Sequence, residues 1–256
     1  MKLVVNGQIQ SDLTKLPYSD ALIRGDGLFE TMLAIDDKPV ALDRHLARIE
    51  KSAAISLLTL PALIDIQLAI TAVLENQIGK SKLRLVVLSD GNWFISCQPL
   101  SEESASTSLT RFDTPVFSKD YLNTVKSTSY ARSLLAVRYA KSLGFDDCLF
   151  INEAGFVVET GFSNLLVLNN SKWVTPALTT GCLPGITREL LIKWFDVDEI
   201  EISFDELLTS QAVYVTSSLR LIQRVNRIES RSFSENSLGK ELISQFNQRL
   251  FSNINP

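Results

Sequence analysis

The chain has 256 residues, with 25 Lys+Arg against 29 Asp+Glu for a net charge of −4 at pH 7, 45% hydrophobic residues, three cysteines and a single histidine. That length and apolar content suffice to close a hydrophobic core in one large or two small domains and exclude a disordered chain, while scattered basic residues leave no footprint for nucleic acid. His45 is the only imidazole, so a multi-histidine metal site is ruled out, no metal is expected, and acid–base work passes to Lys, Tyr or a carboxylate.

The apolar start at residues 1–5 is interrupted by Asn6-Gly7 and Gln8 before it can read as a signal peptide, and no apolar run approaches the ~18 residues of a membrane span. Cys97, Cys148 and Cys182 lie far apart with no C-x-x-C pair; they read as reduced, buried thiols, and a soluble cytoplasmic protein is expected. Residues 2–10 alternate around Asn6-Gly7 as a hairpin, and 27–35 read as a strand followed by a turn at Asp36-Asp37-Lys38. Asp43 reads as an N-cap for a helix carrying Leu46, Ile49 and Ala53, which puts His45 and Arg48 on one face. Pro61 and Gly79 bracket a second helix, and strands at 83–88 and 93–97 flank Asp90-Gly91.

The Ser- and Glu-rich stretch 99–108 is the one clear break in composition, and the expected boundary lies there, giving subdomains 1–103 and 104–256. Residues 128–143 carry a helical pattern ended by Gly144. Short strands follow at 148–151, 156–159, 164–168, 173–174 and 213–216, with a helix beginning near Thr187 between the last two. The order reads as two α/β or α+β subdomains.

Three places could carry chemistry. Pro184 and Gly185 lead into the helix near Thr187, where free backbone amides and a hydroxyl suit an anion, or simply form a turn. Lys126 stands among small hydroxyl residues in Val-Lys-Ser-Thr-Ser-Tyr; a desolvated lysine serves as nucleophile or base, whereas an ordinary one is solvated. Glu159 closes an apolar strand before a glycine turn, either as a strand end in water or as a buried acid with a cationic partner.

Taken together, the segments Arg24-Gly25-Asp26-Gly27-Leu28-Phe29-Glu30-Thr31, His45-Leu46-Ala47-Arg48, the lysine segment, Glu159 to Asn164, Leu183-Pro184-Gly185-Ile186-Thr187-Arg188 and Val215-Thr216-Ser217-Ser218 resemble the class IV aminotransferase family in order and spacing. These are fold-type IV enzymes that use pyridoxal 5′-phosphate (PLP). The resemblance implies an α/β (α+β) architecture of two subdomains with the cofactor between them, the second a β-rich pseudo-barrel carrying the PLP lysine. It implies that Lys126 carries the Schiff base and then moves protons at the substrate carbon, and that Glu159, 33 positions on, keeps the pyridine nitrogen protonated. Arg48 is expected at the phosphate with Ile186, Thr187, Ser217 and Ser218, and Tyr130 at the ring hydroxyl, while His45 packs or hydrogen-bonds beside Arg48.

Within the family, the short length and the Gly-Leu-Phe-Glu-Thr and Lys-Ser-Thr-Ser-Tyr-Ala segments look most like the 4-amino-4-deoxychorismate lyases of folate biosynthesis, which form 4-aminobenzoate and pyruvate; transaminases of D-amino or branched-chain amino acids are the alternative. Thr31 is expected on the substrate side of the catalytic site, and Arg24, Arg84 and Arg220 are candidates for substrate carboxylates. Two positions depart from the pattern: Arg224 stands where the family often has Pro, and Ser217 where the lyases often have Asn. A homodimer acting on a small molecule is expected, as in the resembling family.

Overall fold

A computed structural model describes residues 1–10, 18–101 and 104–256. The expected boundary between residues 103 and 104 falls at Glu102-Glu103, outside the described residues. The chain divides into two compact units: Met1–Glu102 with Val125–Tyr130 and Ser252–Pro256, and Glu103–Thr124 with Ala131–Phe251. Lys126 therefore belongs to the first unit, not to the C-terminal one as the resemblance implies. The correction has a physical basis, since the lysine segment is hydrogen-bonded to a strand of the first unit.

In the first unit, β1 (Lys2–Val5) and β2 (Gln8–Ile9) form the expected hairpin, with Asn6 at φ 47° and Gly7 at φ 80° supplying the left-handed turn. Then come α1 (Asp20–Arg24), β3 (Gly27–Ile35), β4 (Lys38–Pro39), α2 (Leu42–Ser56), α3 (Leu63–Leu74), β5 (Lys80–Leu88) and β6 (Trp93–Pro99). The strands make one antiparallel six-stranded sheet in the order β2-β1-β6-β5-β3-β4. Side chains alternate across it: Leu28, Met32, Leu83, Leu85 and Ile95 pack with α2 and α3, while Phe29, Val86 and Leu88 point to the other face.

Two helix ends differ from the sequence reading. Asp43 is not the N-cap of α2; Ala41 is, at φ 55° with no side-chain cap, and the amide of Asp43 is taken instead by Asn255 Oδ1 at 3.0 Å, from 212 residues further along the chain. Ala41 N donates to Ile254 O at 2.7 Å, so the C-terminal tail supplies the cap. Helix α3 begins at Leu63 and stops at Leu74, and Gly79, at φ 79°, turns the chain into β5 rather than ending the helix.

The second unit contains β7 (Ser106–Arg111), α4 (Ala131–Ser142), β8 (Asp147–Ile151), β9 (Val157–Thr160), β10 (Asn164–Asn169), β11 (Lys172–Pro176), α5 (Ile186–Trp194), β12 (Val197–Ile200), α6 (Phe204–Thr209), β13 (Ala212–Ser217), β14 (Leu221–Ile228), β15 (Arg231–Ser232) and α7 (Ser237–Ser252). Its sheet runs β12-β11-β10-β13-β14-β7-β8-β9, with β15 paired to β14. Leu149, Ile151, Leu165, Val167, Val213, Val215 and Val225 fill one core, and Cys148, Phe150 and Val158 pack with α4 through Ala136 and Ala140. No helix among the described residues is long and apolar enough to cross a membrane.

Candidate active site

The site residues fall into one group on each unit. On the first, residues 126–128 extend the free edge of β3: Phe29 N donates to Lys126 O and Thr128 N to Gly27 O, both at 2.9 Å, with Ser127 opposite Leu28. That register places Lys126 beside Phe29 on the same face, and explains why the segment is extended where the pattern suggested the start of a helix; α4 begins only at Ala131. Gly27 is required here, since a Cβ would stand 2.6 Å from Val87 O on β5.

Lys126 Nζ lies 4.5 Å from the Phe29 ring centroid and 5.5 Å from that of Tyr130, and the two rings meet edge to face at 5.1 Å. Aromatic faces strip water from the amine while their quadrupoles attract its charged form. Arg84, opposite Thr31 in the β3–β5 register, puts its guanidinium 5.5 Å from the same Phe29 ring. Burial lowers its basicity, and Lys82, two residues earlier on the same face, is lowered by burial and then by Arg84. The Thr31 hydroxyl is buried with no hydrogen-bond partner among the described residues. Arg24 ends α1, exposed and 3.6 Å from Asp20.

On the opposite face, β3 presents Glu30 to α2. Arg48 donates from Nε to Glu30 Oε1 at 2.8 Å and from Nη2 to Oε2 at 2.6 Å, and His45 Nδ1 lies 2.7 Å from Oε2. Burial pushes the Glu30 carboxyl up, but the charges of Arg48 and His45 and their hydrogen bonds outweigh it and hold the pKa at about 2. An ionised carboxylate only accepts, so His45 carries its proton on Nδ1. Burial keeps the His45 pKa below its usual value, against the pull of Glu30 and with the help of Arg48 and Lys126. His45 thus lies beside Arg48 as a hydrogen-bonding residue, and the partner they share is Glu30, to which the sequence pattern attaches no role.

On the second unit, Glu159 Oε2 accepts from Asn164 Nδ2 at 3.0 Å and from Leu183 N at 3.2 Å. The same Asn164 Nδ2 reaches Leu183 O at 2.9 Å, tying the β9–β10 turn to the loop before α5. Gly185 makes this possible, because a Cβ there would sit 1.9 Å from Asn164 Oδ1. It is also the N-cap of α5 and has no capping side chain, so the first-turn amides at Ile186 and Thr187 receive no side-chain cap. Asn164 and Gly185 belong to the two motif segments, but only the fold reveals that they meet.

The end of β13 and the turn into β14 carry Ser217, Ser218 and Arg220. Arg220 N donates to Ser217 Oγ at 3.3 Å, and on the preceding strand the buried Thr216 hydroxyl has no hydrogen-bond partner among the described residues. Asp147 accepts from Cys148 N, Thr160 Oγ1 and Gly161 N; burial raises its pKa while these bonds and the charge of Arg220 lower it. Arg224 lies within β14 and donates to Phe233 O at 3.0 Å, which makes the departure at that position a strand contact. Among the described residues, no group of three His, Cys, Asp or Glu is arranged to hold a metal ion.

A lysine amine against aromatic rings, a buried arginine, an anchored carboxylate and an uncapped helix start suit an aldehyde-bearing, phosphorylated pyridine in chemical type. The amino-transferase class IV model matches residues 27–228, and the chain belongs to that family, whose cofactor is PLP. Among its relatives, a candidate branched-chain-amino-acid aminotransferase of Methanocaldococcus jannaschii is 28% identical over 94% of this chain and 92% of its own length. A bifunctional aminodeoxychorismate lyase/D-amino acid transaminase of Mycobacterium tuberculosis is 24% identical over 90% and 92%. A hypothetical aminotransferase of Mycobacterium tuberculosis, solved in its apo form, superposes with a TM-score of 0.91 at 23% identity, covering 99% of this chain and 100% of that one. The fold is thus the fold-type IV architecture that the resemblance implied.

Proposed function

We propose that the chain is a PLP-dependent lyase that converts 4-amino-4-deoxychorismate to 4-aminobenzoate and pyruvate. The observation that carries this reading is the face of the first unit where Lys126, Tyr130, Thr31 and Arg84 gather around Phe29, with Lys82 beside Arg84. An amine, a buried hydroxyl and two neighbouring cations suit an amino acid bearing two carboxylates, and the substrate of the lyase is one. The bifunctional relative, matched over nearly the whole chain, supports the same activity.

In this reading Lys126 attaches the cofactor and then takes the proton from the amine-bearing carbon of the substrate. When bound, PLP supplies an electron sink for the pair left behind. Glu159, oriented by Asn164 and Leu183 N, pairs with the pyridine nitrogen, and Tyr130 with the ring hydroxyl. Arg48 takes the phosphate together with the Ile186 and Thr187 amides, the Thr187 hydroxyl, Ser217 and Ser218. Thr31 faces the substrate, and Arg84 takes a carboxylate in preference to Arg24, which is exposed beside Asp20, and Arg220, which answers the charge of Asp147.

Purified protein given 4-amino-4-deoxychorismate is expected to release 4-aminobenzoate and pyruvate in equal amounts with no added keto-acid acceptor, and Lys126→Ala to abolish this. Bound PLP with no such product refutes the lyase reading. The Methanocaldococcus jannaschii relative favours a second reading, a transaminase, whose signature is keto-acid-dependent exchange of the cofactor between aldehyde and amine forms. A homodimer is proposed as well, and elution at monomer mass in gel filtration refutes it.

A further inference from the structure

We infer that Glu30 is a positioning residue for cofactor binding: its carboxylate grips one edge of the Arg48 guanidinium and thereby sets the direction in which that group meets the phosphate. The inference rests on the proposal that Arg48 takes the phosphate. The geometry is a two-bond fork, Nε to Oε1 at 2.8 Å and Nη2 to Oε2 at 2.6 Å, in which Glu30 uses both of its oxygens on one planar group. Such a fork fixes the plane of the guanidinium as well as its position, and turns the Nη1 side away from Glu30.

His45, one helical turn before Arg48, fixes Glu30 in turn through the 2.7 Å contact to Oε2. All three side chains are buried, so little freedom is left to any of them. A buried ion pair is not by itself a stabilising device, because well-packed apolar residues in its place are often no less stable. Leu28 and Met32 on β3 and Leu46 and Ile49 on α2, the positions next to this cluster, already share one apolar core, so stability alone does not call for it. What the cluster provides that Leu or Met could not is a charged group held in one orientation.

Charge and orientation make opposite demands, which makes the inference testable. As a mere charge, Glu30 opposes a phosphate dianion, and removing it should tighten binding. As a positioning group, its loss should weaken binding, because the Gln amide of Glu30→Gln would present a donor to donors. Binding of PLP and of pyridoxal, which lacks the phosphate, is measured by fluorescence titration on the full chain freed of cofactor. The variants are Glu30→Gln, Glu30→Asp and Arg48→Ala, with the 31P shift of bound PLP as a second readout. Glu30→Asp keeps the core charge compensated but is one methylene too short for the fork, and so keeps the test open if Glu30→Gln does not fold.

The expected result is that both Glu30 variants lose about tenfold or more in PLP affinity, leave pyridoxal affinity unchanged and shift the phosphorus signal. Arg48→Ala is expected to remove the preference for PLP over pyridoxal. Glu30 variants that bind PLP as well as or better than the parent, while Arg48→Ala loses the preference, overturn the positioning role and leave Arg48 at the phosphate. An Arg48→Ala protein that keeps the preference refutes the underlying proposal instead.

Discussion

Gly185→Ala offers the sharpest test of how the second unit presents its carboxylate. The added Cβ would stand 1.9 Å from Asn164 Oδ1, about 1.5 Å inside ordinary contact, so the amide must turn away. Turning releases Asn164 Nδ2 from Glu159 Oε2 at 3.0 Å and from Leu183 O at 2.9 Å. A bond to a charged group is worth roughly 1.5–3 kcal/mol and a neutral one about 1, and since the cluster is only partly buried, water recovers some of this. The expected cost is about 2–3 kcal/mol in urea unfolding, with weaker PLP binding.

Asn164→Ala loses the same two bonds and also removes the atom that Gly185→Ala would strike. Adding Gly185→Ala to Asn164→Ala should therefore cost only about 0.5 kcal/mol, a coupling of about 2 kcal/mol in the double-mutant cycle. Additive costs, or a Gly185→Ala protein indistinguishable from the parent, would refute the reasoning. A residue chosen for backbone freedom would give the additive result, so the cycle separates the two uses of glycine.

Four further outcomes follow from the geometry. His45 is held below its usual pKa, so the unfolded chain takes up a proton first, and unfolding free energy should fall as pH drops below about 6.5; His45→Gln should remove that slope, and an unchanged slope refutes the assignment. Glu30, depressed to about 2, adds stability that is complete above roughly pH 4.3 and lost as pH falls through its folded value, so Glu30→Gln should flatten the acid limb of the stability curve. Asn255→Ala should lower stability by about 1 kcal/mol by uncapping α2, and an unshifted urea midpoint would count against the cap. Burial drives the thiols of Cys148 and Cys182 up to about 11 and about 12 and raises that of Cys97, so a thiol reagent should label none of the three promptly in the native protein and all of them in urea; fast native labelling contradicts the packing.

Much of the fold was legible because the local signals are strong. Asn6-Gly7 and Asp90-Gly91 each fix a hairpin, and the strand expected over Gly27 to Ile35 matches β3 end to end. The helix carrying His45 and Arg48 was read with the right face but the wrong cap, since no local pattern can announce that Asn255 supplies it. The pattern over residues 128–130 suits a helix as well, but pairing of residues 126–128 with β3, distant in sequence, keeps this stretch outside α4, which begins at Ala131. Strands β7, β12 and β14 carry no local signal for a similar reason, as they are defined by their sheet neighbours and not by turns of their own.

The sequence by itself determined the family, through blocks whose residue types and order are tied to one chemistry, and with it the lysine, the carboxylate and the arginine as candidates. Only the tertiary structure decided which residues govern them: Phe29 and Tyr130 around the Lys126 amine, Glu30 and His45 behind Arg48, Asn164 and Gly185 behind Glu159. The reason is physical. A reactive residue type is written in the chain, whereas its orientation and protonation depend on burial and on hydrogen bonds to partners brought close by folding.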